Sequence, residues 1–184
     1  MAGRRLPLIP VDKLSTEQRK VYDSIRGGPR AKLANFSGAA PGPLGGPFNM
    51  MLRSPGIGNI VQSLGGEIRF NSSLPAKLNE FAIIVTARYW TSQYEWHAHC
   101  RLAIEAGLDP AKAKDVAENR RPANMDAAEA AVYDFSHELH TKKSVSDENY
   151  QRVLDQFGER GVFDLVAVNG YYSLVSMILN VDRA

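Results

Sequence analysis

The stretch LNEFAIIVTARYWTSQYEWHAHCRLAIEAGL, Leu78 to Leu108, decides how the chain is read. Ile83, Ile84 and Val85 are β-branched and taken alone would suit a strand. They lie inside a longer pattern, Leu78, Phe81, Ala82, Ile84 and Val85, whose spacing is helical. The helix expected from Pro75 to about Tyr89 is apolar on most of its circumference, which places it at the centre of a core. A second helix is expected from Tyr94 to Ala106, ended by Gly107, a favoured residue just past a helix.

Outward from this pair the pattern stays helical. Leu14 to Arg26 carries Val21, Tyr22 and Ile25 on one face, with Ser15 and Gln18 spaced as a capping box. PFNMMLRS forms a short helix before Pro55, and Ile57, Ile60, Val61, Leu64 and Ile68 repeat at helical spacing up to Phe70. Ser73 is a candidate N-cap for the central helix, with Pro75 near its first turn. Asp109-Pro110 starts a short helix, Asp126 to His140 another, and Ser146 opens the next; Gly161 is expected to precede the last long one. No segment alternates strictly. The expectation is an all-α fold of about eight helices in a single domain, 1–184, with its core at about 48–182. Residues 27–47, rich in glycine and proline, suit a surface loop or a flap over a pocket.

The 184 residues carry a net charge of only +2, which makes no case for nucleic acid or an anionic membrane as partner. The most apolar run, Val162 to Val181, contains Asp164, Asn169 and two tyrosines, and reads as a buried amphipathic helix, not a membrane span. No secretory leader is evident at the N-terminus, and one cysteine excludes an internal disulfide or a Cys-x-x-Cys pair; a cytoplasmic location fits these features.

QYEWHAHC, residues 93 to 100, gathers the reactive side chains. On a helix Glu95 and His99 are i and i+4 and can touch, and Ser92 falls close to the same line. His97 points about 200° away, so His97 and His99 cannot chelate one metal; no metal site is expected. Cys100 is a lone thiol, more often a small buried apolar residue than a nucleophile. A carboxylate beside a histidine raises its pKa and fixes its tautomer, as general acid/base chemistry requires. The same spacing also suits a structural hydrogen bond on a helix surface. Trp90, Tyr94 and Trp96 suggest a partly buried setting. His137 and His140 lie on a surface-like segment and are expected to do nothing catalytic.

With Glu80 added, the segment 78–108 resembles the carboxymuconolactone decarboxylase and alkylhydroperoxidase D-like superfamily. In its peroxidase branch a glutamate precedes a Cys-x-x-Cys by twelve residues and a histidine follows four later. Here that ladder reads Glu80, Ser92, Glu95, His99. A disulfide-cycling peroxidase needs two thiols, so that activity is disfavoured. The resemblance implies the non-redox branch: an alkylhydroperoxidase D-like helical bundle, a homo-oligomer (dimer, trimer or hexamer), and a lyase that needs no cofactor. Its substrate would be a small carboxylated lactone or another intermediate of aromatic catabolism. His99 would be the acid/base, assisted by Glu95 and Glu80. Arg88, Arg69, Ser92, Trp96 and Tyr171 are the candidate substrate-binding residues. The alternative is a non-enzymatic oligomer that binds small molecules on the same scaffold.

Overall fold

A computed structural model describes residues 3–28 and 42–184 of the chain. Among them are eight α-helices and no strand. The chain divides into two compact units, Met1–Asn71 with Met177–Ala184, and Ser72–Ser176.

The first unit holds α1 (Thr16–Gly27), α2 (Gly46–Met51) and α3 (Pro55–Phe70). α1 starts where expected: the Ser15 hydroxyl accepts from the Gln18 N–H, and the Gln18 side chain accepts from the Ser15 N–H. Val21, Tyr22 and Ile25 are its buried face. α3 packs closely on α2, because a Cβ at Gly58 would come within 2.1 Å of the Met51 carbonyl oxygen. α3 buries Gly58, Gln62, Gly65 and Ile68, while Ile57 and Ile60 are 68% and 70% exposed. Most of its aliphatic stripe therefore faces outward, the reverse of an ordinary amphipathic helix. The expected loop at 27–47 falls largely on residues 29–41, outside the described residues; of its flanks, Gly27 closes α1, and Gly46 and Pro47 already belong to α2.

The second unit holds α4 (Ala76–Tyr89), α5 (Gln93–Glu105), α6 (Pro110–Ala117), α7 (Ala127–Lys142) and most of α8 (Asp147–Asp182). α4 is its centre: Phe81, Ala82, Ile83 and Ile84 are fully buried, so the β-branched run is helical. Glu129, itself buried in α7, binds Lys77 Nζ on α4 at 2.9 Å and Lys112 of α6, clamping three helices on one carboxylate. It also completes a capping box with Asp126.

Three local expectations change. Pro75, not Ser73, stands at the N-cap of α4; the Ser73 N–H and hydroxyl both donate to Asp164 Oδ2 at 2.7 Å. The last long helix breaks at Gly158, with φ 67° and ψ −179°, a conformation essentially reserved for glycine. Gly161 lies inside the helix, where a Cβ would meet Phe157 Cβ at 2.1 Å, so it is kept small for space. His140 is buried, not at the surface, with Nε2 2.9 Å from the Thr86 hydroxyl, which also reaches Asn169 Oδ1 at 3.1 Å.

α8 is long and apolar enough to cross a membrane by length and composition alone. Within the second unit it buries Leu165, Val168, Tyr172 and Val175, as a core helix does.

Candidate active site

The site is built by the turn between α4 and α5. Trp90 caps α4, Thr91 takes a left-handed conformation (φ 50°), and the Ser92 N–H returns to the Ala87 carbonyl at 2.9 Å. The chain thus reverses within a few residues, and α5 runs back along α4. Glu80, early in α4, and His99, in the body of α5, sit at comparable distances from that turn, so reversal sets them side by side.

His99 Nδ1 lies 2.6 Å from Glu80 Oε2, and Nε2 lies 3.2 Å from Glu95 Oε2. All three side chains are buried. Burial alone lowers the imidazole pKa, but hydrogen bonds to Glu80 and Glu95, with their charges, outweigh it and push His99 up to about 9. At neutral pH the group is an imidazolium held between two carboxylates, with both N–H bonds donated. The edge of the Tyr172 ring closes one side, centroid to centroid 4.9 Å from the imidazole, and Tyr171 packs edge-on behind Tyr172.

Ser92 is buried at the head of α5, yet its hydroxyl makes no cap bond and has no hydrogen-bond partner among the described residues. His97 is exposed while His99 is buried, so the two histidines do not share a face. Cys100 is half-buried and its thiol is pushed up by burial, which keeps it protonated and unreactive.

The remaining candidates are placed less uniformly. Trp96 is half-buried on α5. Tyr171 is buried and packs edge-on against Tyr172, whose ring is the one set edge-on against His99. A tyrosine pair on the last helix could be suspected from sequence; which member meets the imidazole depends on how α8 is rotated. Arg69 ends α3 in the first unit, its guanidinium over the Phe70 ring at 6.0 Å. Arg88 is not brought to Glu80: its Nε donates to the Ala117 carbonyl at 2.8 Å, about 12 Å of helix rise further along α4.

Residues 55–138 match the model of the carboxymuconolactone decarboxylase family. No curated protein matches the chain. Among solved structures, the apo crystal structure of the debrominase Bmp8 superposes with a TM-score of 0.68 at 12% identity, covering 92% of this chain and 85% of that one. At that identity the likeness speaks for the fold alone. Glu80, Ser92, Glu95 and His99 all fall inside the segment that matches the carboxymuconolactone decarboxylase family model, and the helical fold agrees with that match.

Proposed function

We propose that His99, Glu80 and Glu95 form the acid/base centre of a cofactor-independent lyase that decarboxylates a small carboxylated lactone or a related intermediate of aromatic catabolism. The observation that carries this reading is a buried imidazole with a carboxylate on each nitrogen. A structural i,i+4 bond on a helix surface would need neither burial nor the second acid.

In the reaction the bond between the ring carbon and the carboxylate breaks and CO₂ leaves. Its electron pair moves through the adjacent C=C onto the lactone carbonyl oxygen. The distal carbon then takes a proton, which originates on His99 and is later replaced from solvent. Both imidazole nitrogens are occupied, so the proton passes through a carboxylate. Glu95, on the longer bond, is the side that opens. Two carboxylates against one imidazolium leave the triad net negative, which favours loss of a neighbouring anionic carboxylate as neutral CO₂. The Ser92 hydroxyl is proposed as the donor to the substrate, which its lack of a partner among the described residues supports.

The test is turnover of γ-carboxymuconolactone and related lactone acids by the wild-type protein and by His99→Gln and Glu95→Gln. An acid/base role predicts losses of roughly 10²–10⁴-fold in kcat. Wild-type turnover in both variants removes the assignment. Tight ligand binding with no turnover in any form favours the second reading, a non-enzymatic small-molecule-binding scaffold.

The protein is further proposed to act as a homo-oligomer. What supports this is the outward aliphatic stripe Ile57, Ile60 and Leu64 on α3, a face of the kind that marks a protein contact. Ile60→Glu is expected to reduce the mass measured by light scattering in solution.

A further inference from the structure

A second concave site lies in the Ser72–Ser176 unit, lined by none of the acid/base residues. It is a cleft of about 240 Å³ between the end of α4, the end of α6 and the last turns of α7. Helical register builds it. Arg88 and Tyr89 are adjacent on α4, while Tyr133, His137 and His140 follow one stripe of α7 at i, i+4 and i+7; Asn119, just after α6, borders the opening.

Its walls are aromatic. Tyr133 and His137 stack at 5.6 Å with ring planes 7° apart, and Tyr89 and His140 stack at 4.8 Å and 16°. Its charge is positive: Arg88 lines it, and no carboxylate does among the described residues. Arg88 is anchored through Nε on the Ala117 carbonyl, which leaves both terminal nitrogens without a carboxylate partner among the described residues. Acids on the same helices and loops are paired elsewhere: Asp115 with Arg120, Asp134 with Arg121 and Arg152, and Glu138 with Lys142. A guanidinium with its plane set by one bond through Nε keeps its terminal Nη1–Nη2 edge for a carboxylate accepting side by side. At about 240 Å³ the volume lies below the usual range for drug-sized ligand pockets, roughly 300–1,000 Å³, which restricts the occupant to a single ring.

We propose that this cleft is a second ligand site, taking a one-ring aromatic carboxylate with its anionic end on Arg88 and its ring against the Tyr–His walls. The site does not depend on the reaction assigned to His99.

Benzoate is the probe, titrated into the full chain by calorimetry and followed by NMR of the His137 and His140 ring protons. Benzamide, the same shape without charge, is the control. Benzoate is expected to saturate the wild-type protein and to shift both histidine signals, with benzamide binding at least tenfold more weakly. Arg88→Gln is expected to weaken benzoate at least tenfold, and Glu95→Gln to leave its affinity unchanged. Binding that persists in Arg88→Gln, binding lost in Glu95→Gln, or benzoate that leaves the two histidine signals unmoved in the wild-type protein would each overturn the proposal. The last readout needs no variant, so it stands even if Arg88→Gln folds poorly.

Discussion

His99 Nδ1 and Glu80 Oε2 are separated by 2.6 Å in space and nineteen residues in sequence, whereas the i,i+4 partner Glu95 sits at 3.2 Å. The tertiary contact is thus shorter than the local one. That ordering follows from the α4–α5 reversal, which aims an early α4 side chain directly at the α5 imidazole.

The two acids should therefore differ in what they contribute to stability. Replacing a buried charged partner by a neutral one removes a charge-assisted bond. Glu80→Gln is expected to destabilise by about 2–3 kcal/mol and Glu95→Gln by about 1–2 kcal/mol. Urea unfolding at pH 7 measures both. Equal losses, or a larger loss for Glu95→Gln, would place the stronger bond on the wrong partner.

The two buried histidines should shape the pH profile with opposite signs. His99 is raised in the folded state to about 9, so its stabilisation is complete below about 6.5 and is lost as pH rises through 9. The linkage amounts to on the order of 3 kcal/mol. His140 is lowered to about 4, by burial first and then by the charges of Lys143 and His137, against a hydrogen bond to the Asn169 side chain that works the other way. Its contribution is present above about 6.5 and is lost as pH falls toward 4. Unfolding free energies measured from pH 4 to 10 should fall on both sides of a plateau near 6.5. His99→Gln should flatten only the alkaline side, and His140→Gln only the acid side.

Three glycines are held by geometry, each for a different reason. Gly58→Ala would drive a methyl into the Met51 carbonyl, a backbone atom with little room to retreat, and Gly161→Ala would meet Phe157 Cβ. Gly158→Ala meets no atom but must adopt a φ of 67° with an extended ψ. Losses of about 1–3 kcal/mol are expected from overpacking at Gly58 and of similar size from backbone strain at Gly158. Gly170→Ala, which meets nothing within 4 Å on an exposed helical face, is the contrast in the same thermal melts and is expected to stabilise by about 0.5–1 kcal/mol.

Much of this architecture could be read from residues in advance, and the misses have physical causes. The capping box at Ser15 and the helices around Ile83–Val85 depend on local spacing, which sequence displays directly. Ser73 has the chemistry of an N-cap, but a tertiary partner, Asp164, took its donors. Gly161 and Gly158 are alike in composition, and only the backbone tells a break from a close contact. Within the site, Glu95 and His99 were visible as an i,i+4 pair, while Glu80 required the resemblance to a family, since its approach is set by a turn and not by spacing. Arg88 shows the limit of proximity in sequence: eight residues along one helix carried it to a different cleft.

The central claim is that His99 is an imidazolium locked between Glu80 and Glu95 at neutral pH. NMR titration of the His99 ring carbons in isotopically labelled protein measures this directly. The account predicts a midpoint near 9 in the wild-type protein, falling in both Glu80→Gln and Glu95→Gln. A wild-type midpoint at or below the ordinary histidine value of about 6.5, unmoved by either substitution, would contradict it.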